Sequence, residues 1–469
     1  MKRSERLYVL LGVLAAACAV TFGVSRYQEH KEQIQATGEI VLEVPSEEVE
    51  SLSWEYDGQS FSFHKDGSWI YDGDQAFPVD GEKISSLLEQ FQSFGAAFTI
   101  QEPEDLGQYG LDDPVCTISF STGEESYTVS LGDYSTMDAQ RYVSIGDGNV
   151  YLAAHDPLEE FDAELSDLIA HDQVPDFGQV TQIAFSGAED YAISYQENGG
   201  DSYRAEDVYF AEDGGGALPL DTSRVEDYLY DLRYLGLTDY VTYDATEEEI
   251  RACGLDDPEL TITVDYTGED GDGEDAAGTF TLHVSRDPEE RAAAGGESGS
   301  EGEEEEITAY ARVGESPILY RISSGEYEAL MAASRDDLRH QEVLPAEFED
   351  VSRIDVSLEG ADHTITSQGE GEDRTFYYGE EALDISGLRT ALTALKAEED
   401  GFTDEQPSER EEIRLTVHLD LEGSPTVSIV LYRYDGSSCL AVVDGAPLCL
   451  VSRSSAVDLI ESVNAIVLN

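Results

Sequence analysis

"YGLDDPVCTISF" (Tyr109–Phe120) returns later in the chain as "CGLDDPELTITV" (Cys253–Val264). A segment that recurs at long range marks a repeated unit, and its local chemistry says what the unit does at that point. Glycine accepts a left-handed turn at no steric cost. Aspartates bond their own backbone in turns, and proline bars helix and pushes its predecessor to extended geometry. The alternation that follows, apolar at Cys116, Ile118 and Phe120 and at Leu260, Ile262 and Val264, is that of a half-buried strand. The hexapeptide therefore reads as punctuation that stops one element and aims the next.

Working upstream, each copy is preceded by an amphipathic helix. "VDGEKISSLLEQFQSF" places apolar residues at Ile84, Leu87, Leu88, Phe91 and Phe94. "LDTSRVEDYLYDLRYL" does so at Val225, Tyr228, Leu229, Leu232 and Leu235, and "LDISGLRTALTALKAE" at Leu388, Ala391, Leu392 and Leu395. This is one face of a helical period, three times over. Asp80, Asp221 and Asp384 each stand where a side chain can accept from the free amides of a first turn. Further upstream, "VESLSWEY", "VTQIAFSG" and "VSRIDVSL" begin at Val49, Val180 and Val351 with an aliphatic residue, a gap of two, and then alternation. Downstream come hairpin patterns and a helical tail in each copy. The third copy has "TDEQPSER" where the hexapeptide would stand, so the unit is built there without paired aspartates.

The expected fold class is α+β: an N-terminal transmembrane helix followed by three repeated units of antiparallel strands plus helices. Residues 1–6 form a cytoplasmic tail, 7–25 the transmembrane helix and 26–45 a polar tether. The units span 46–175, 176–344 and 345–469. The second carries acidic stretches near 268–278 and 287–306, "GEDGDGEDAAG" and "DPEERAAAGGESGSEGEEEE", whose high charge and low apolar content predict disorder.

The hexapeptide, with "TISFSTGEESYTVSLGD" and "RYVSIGDGNVYLA" behind it, resembles the bacterial domain-of-unknown-function family DUF4340. The resemblance is close over the first two units and weaker over the third. It implies an extracytoplasmic, repeated α+β region on a membrane anchor, in the context of gliding-motility-type ABC transporters. It brings no activity and no catalytic residues.

The N-terminus fits that context. "LYVLLGVLAAACAVTFGV" (Leu7–Val24) is uncharged and about long enough to span a bilayer. Lys2, Arg3 and Arg6 precede it, which places the N-terminus in the cytoplasm and the bulk of the chain outside. Cleavage after Ala15–Ala17, or lipidation of Cys18, are the rival readings. Ala15 stands three before Cys18, where a lipobox takes a large aliphatic residue.

Net charge over the 469 residues is −75, from 101 acids and 26 bases. Nucleic-acid binding needs a basic footprint and is excluded as a general function. Basic proteins and divalent cations are the electrostatically favoured partners. No phosphate loop, zinc-protease helix or nucleophile elbow is present in the sequence. His64, His155, His171, His283, His340, His363 and His418 share no spacing. Carboxylates are too abundant for any pair to stand out as a glycosidase dyad. Cys439 and Cys449 flank a "DGAP" turn, but at unequal offsets from Asp444–Gly445. No catalytic, cofactor-binding or metal-ligating residue and no cofactor is expected from these patterns.

The leading function is a non-enzymatic, membrane-anchored extracytoplasmic interaction module, an accessory subunit of an ABC-type transporter system. Its expected partners are the membrane, through the N-terminal helix, and a transporter permease or other envelope protein. One alternative is a cell-envelope binding protein contacting wall polymer or a secreted substrate. A second is an envelope hydrolase with an unrecognised carboxylate site.

Overall fold

The structure, a computed structural model, describes residues 38–197, 202–213, 216–269, 275–294, 307–369, 371, 374–408 and 410–468. It divides into two compact units, Met1–Asp172 and Gln173–Asn469.

The first unit holds one nine-stranded antiparallel sheet. Its strands are β1 (Glu39–Leu42), β2 (Val49–Tyr56), β3 (Gln59–Asp66), β4 (Ser68–Tyr71) and β5 (Phe94–Ile100). After these come β6 (Cys116–Thr122), β7 (Ser126–Ser135), β8 (Gln140–Ser144) and β9 (Val150–Ala153). Helix α1 (Gly81–Glu89) separates β4 from β5, and α2 (Leu158–Phe161) follows β9.

The second unit holds two sheets, of nine and eight strands. The first of them contains β10 (Gln179–Gly187), β11 (Tyr191–Tyr195), β12 (Tyr209–Asp213), β13 (Gly216–Pro219) and, after helix α3 (Thr222–Arg233), β14 (Tyr240–Thr242). Helix α4 (Glu247–Ala252) leads into β15 (Leu260–Glu269) and β16 (Asp275–Arg286). Then come α5 (Pro288–Ala294), β17 (Ala309–Val313), β18 (Leu319–Ile322), α6 (Ser324–Met331) and α7 (Arg335–Leu338). The last sheet is built from β19 (Val351–Leu358), β20 (Ala361–Gln368), β21 (Thr375–Tyr378) and β22 (Glu381–Leu383). Helix α8 (Ser386–Thr393) precedes β23 (Glu411–Leu419), β24 (Thr426–Arg433), β25 (Ser438–Val443), β26 (Ala446–Ser452) and the closing helix α9 (Arg453–Val467).

One strand order runs through all three sheets: β4-β3-β2-β6-β7-β8-β9, β12-β11-β10-β15-β16-β17-β18 and β21-β20-β19-β23-β24-β25-β26. In each, a meander of three strands, extended by β13 in the second sheet and β22 in the third, pairs through its first strand with a four-strand meander. The helix between the two meanders covers the sheet. The aliphatic-gap-aliphatic entry of β2, β10 and β19 has a physical cause. The pairing register shifts between Val49 and Ser51, between Val180 and Gln182, and between Val351 and Arg353. Such a bulge inserts one residue. Val49 and Leu52, Val180 and Ile183, and Val351 and Ile354 thus face the same core, and all are buried. The covering helices contribute Ile84, Leu87 and Leu88, then Val225, Tyr228, Leu229 and Leu232, then Leu388, Ala391 and Leu392. Each of the valine, leucine and isoleucine side chains among them, fully buried, is worth about 2 kcal/mol.

Several expectations are corrected. The fold of the described residues is mostly antiparallel sheet rather than α+β. The covering helices α1, α3 and α8 run only nine, twelve and eight residues, so most apolar side chains are spent on strands. Helical periodicity stands out in a sequence more than short strands do, which inflated the helical share. Among the described residues no helix is long and apolar enough to cross a membrane, and Leu7–Val24 lies outside them. The tether at 26–45 is too long: Glu39–Leu42 is a strand on β5, because Ile40 and Leu42 find backbone partners in Gly95 and Phe94. The boundary near 345 separates two sheets but not two compact units. The acidic loops are narrower than expected, since Gly268 pairs with Ala276 and Pro288–Ala294 is helical. Residues 270–274 and 295–306 lie outside the described residues.

Candidate functional site

The repeated hexapeptide ends a helical turn. In the first unit, Leu106–Tyr109 form a 3-10 turn whose entry is capped by Asp105, accepting from the Gly107 amide at 2.9 Å. Gly110 sits at φ 66°, the Gly110 amide donates to the Gly107 carbonyl (3.3 Å), and the Leu111 amide donates to that of Leu106 (3.1 Å). In the second unit Gly254 sits at φ 71° after α4. There the Gly254 amide donates to Arg251 (3.1 Å) and the Leu255 amide to Ile250 (2.9 Å). This pair of bonds is the Schellman cap, which satisfies the last carbonyls of a helix through a left-handed residue. Leu111 and Leu255 plug the core behind it. Asp112, Asp113, Asp256 and Asp257 are all exposed, and Asp256 pairs with Arg251 at 3.5 Å. A side chain at Gly110 would meet Asp133 Oδ1 at 2.7 Å, and one at Gly254 would meet Ser285 Oγ at 2.8 Å.

Most of the scattered histidines are fastened to strand neighbours. His64 Nδ1 bonds Asp72, His283 Nδ1 bonds Thr261 Oγ1 (3.0 Å), His363 Nδ1 bonds Tyr378 Oη (2.8 Å) and His418 Nε2 bonds Asp355 Oδ2 (2.8 Å). His155 is exposed. Cys116, Cys253, Cys439 and Cys449 are free and buried. Burial pushes the Cys116 and Cys449 thiols up to about 12, away from nucleophilic chemistry. Cys439 pairs in register with Val451, and Cys449 with Ala441, so the two thiols are staggered across their hairpin.

A dense polar cluster lies inside the second unit, where its two sheets are joined. The loop before β12 carries Ser202, Arg204 and Asp207; the segment leaving α7 carries His340, Glu342 and Glu347. His340 Nε2 bonds Asp207 Oδ1 at 2.8 Å, and Asp207 also accepts from the Ser202 hydroxyl. Asp207 is only 4% exposed. His340 Nδ1 faces Asp221 Oδ2 at 3.6 Å and Glu342 Oε2 at 3.9 Å without a hydrogen bond. Arg204 reaches Glu347 at 2.6 Å, the Leu344 carbonyl at 3.5 Å and Glu342 at 3.7 Å. Lys396, just beyond α8, holds Glu342 at 2.9 Å. Burial opposes the charge on Glu342, but the Lys396 bond and the Arg204 charge outweigh it and keep the carboxyl below its ordinary range. The backbone joins in, since Val343 donates to Leu395 (3.0 Å) and Ala397 to Gln341 (2.8 Å). Tyr203 packs against the core of the last sheet, and the Arg339 guanidinium lies 4.2 Å from the Phe402 ring centre.

Serine, aspartate and histidine meet here, yet not as a nucleophile and its base. The Ser202 hydroxyl donates to the carboxylate rather than to the imidazole. Nucleophilic catalysis requires the hydroxyl on the ring nitrogen and the carboxylate behind it. What the arrangement does is fasten two sheets. Among the described residues no group of three or more His, Cys, Asp or Glu side chains is placed to hold a metal ion.

Two recurrences escaped the sequence reading. His171 and His340 occupy matching places: "SDLIAH" and "DDLRH" each leave a closing turn and pass the covering helix. The helix-capping aspartates donate their amides to the Leu168 and Leu338 carbonyls, Asp80 at 2.8 Å and Asp221 at 3.0 Å. Burial, with the Lys83 charge nearby, pushes the His171 imidazole below its usual range. Glu259–Arg286 (3.0 Å) and Glu412–Arg433 (2.9 Å) are a second matching pair, each joining the start of one strand to the end of its neighbour. In the first unit Val115 and Asp133 stand at these positions, and the pair is lost. The signal for both was the alignment of the units, not any local motif.

The sequence matches the family described as "Domain of unknown function (DUF4340)" over residues 69–258 and again over 212–416. No curated protein and no solved structure matches.

Proposed function

The chain belongs to the DUF4340 family, and from that premise we propose that it is a non-enzymatic interaction module working outside the cytoplasmic membrane as an accessory subunit of an ABC-type transporter. The observation that carries this reading is how the reactive side chains are used. Among the described residues most histidines are tied to carboxylates and hydroxyls, the four thiols are buried, and a dense polar cluster clamps two sheets together. Such a chain offers surface rather than a reaction centre. The net charge of −75 favours partners with basic faces. The transporter context rests on the family resemblance.

Crosslinking in native membranes followed by mass spectrometry tests the proposal. A permease or ATPase subunit among the reproducible crosslinks is the expected result. Crosslinks confined to wall polymer or secreted proteins would favour an envelope-binding role instead.

A further inference from the structure

We propose that the outer face of α3 is a docking strip for an arginine-bearing segment of a partner protein, with Tyr230 and Tyr234 as its platform. This deepens the interaction-module reading and rests on it.

The two tyrosines stand one helical turn apart, so their side chains lie over the same face. Their ring centres are 4.4 Å apart with planes tilted by 43°. Tyr230 is 58% exposed and Tyr234 67% exposed, and among the described residues no other two rings in contact are both more than half exposed. Contacting rings left in water are poorly explained by folding, because their burial contributes little to the core. Tyrosine is enriched at interfaces because a large rigid ring is ordered at small entropic cost.

The surroundings choose the partner's chemistry. Glu226, Asp227 and Asp231 are exposed on the same helix and form no ion pair with any described residue. The basic side chains of α3 are turned elsewhere. Arg224 bonds the Asp337 carbonyl and lies 3.8 Å from Asp221, while Arg233 bonds the Phe177 carbonyl and lies 3.6 Å from Asp176. The strip thus has negative ring faces and carboxylates but no cation of its own. A guanidinium satisfies both at once, stacking on a ring while its fork bonds a carboxylate. A neutral sugar would use the rings and leave the acids idle.

The test uses the full chain and a fluorescein-labelled octa-arginine peptide, followed by anisotropy at 150 mM salt. General attraction to so acidic a protein is present in every variant, so the comparison isolates the strip. Y230A/Y234A is expected to weaken binding about tenfold, in line with the loss of two cation–π contacts. Y230F/Y234F should bind as the parent does, since the ring and not the hydroxyl carries the contact. Y134A/Y434A, which removes two exposed tyrosines away from α3, should change affinity less than twofold. Equal affinity of Y230A/Y234A and the parent would overturn the proposal. So would a neutral oligosaccharide whose binding depends on the two rings while peptide binding does not. Because binding is measured on the purified chain, failure here leaves the transporter association, read in membranes, standing.

Discussion

Gly110 and the two aspartates after it separate architecture from chemistry at the smallest scale. The αL conformation and the 2.7 Å approach to Asp133 both exclude a β-branched side chain at Gly110. Gly110→Val should cost about 1–3 kcal/mol, the range for a strained backbone position. Replacing Asp112 and Asp113 together by Asn should cost under about 0.5 kcal/mol, because both are exposed and carry no part of the cap's bond pair. Thermal unfolding ranks the two variants. A double-Asn variant as unstable as Gly110→Val would assign the aspartates a role the geometry does not show. The glycine's need for a turn was legible in the sequence. The bond pair was not, since it depends on where the preceding turn ends.

The covering helices are the elements whose register can be tested one by one. Asp80 accepts from the Glu82 and Lys83 amides, and Asp221 accepts from Ser223. Asp384 accepts from Ser386 although Ile385 occupies the cap position of α8. Asp221→Ala should cost about 1 kcal/mol, the usual worth of such a cap. Asp384→Ala should cost the same if the bond, rather than the formal cap position, carries the stability. Chemical denaturation of each variant measures this, and a neutral Asp384→Ala would show that α8 starts without help. The apolar face of each helix was readable because a period of 3.6 repeats over several turns. Its short length was not, because the residues just past a helix are held by segments distant in sequence, Phe91 accepting from the Val44 amide and Leu395 from that of Val343. The bulge behind the aliphatic-gap-aliphatic strand entries likewise needed pairing partners before its cause could be seen.

At the scale of the whole molecule, the clamp at His340 and the buried hydroxyls set the behaviour. His340→Ala would leave the buried Asp207 side chain with only the Ser202 hydroxyl, a loss of about 1–3 kcal/mol for a buried acceptor deprived of a hydrogen bond. The expected readout is faster hydrogen exchange on both sides of the junction, at Arg204–Asp207 and Gln341–Glu347. Unchanged exchange there would mean that the backbone bonds alone hold the two sheets. Alkaline pH offers a second test. Burial raises Cys116 and Cys449 from 9.0 to about 12, and Tyr209 and Tyr327 from 10.0 to about 12. The unfolded chain therefore releases these protons first. Stability should be flat in these groups below pH 9 and fall between pH 9 and pH 12. A melting temperature that stays level to pH 12 would contradict it. Legible along the chain alone were the turn glycines, the strand alternation and the helix faces. All of these depend on neighbours along the chain. That sheet dominates, that Glu39–Leu42 adds a strand and that Asp207 meets His340 became visible only in three dimensions. Each depends on residues far apart in sequence, and distant pairing leaves no period for a single sequence to show.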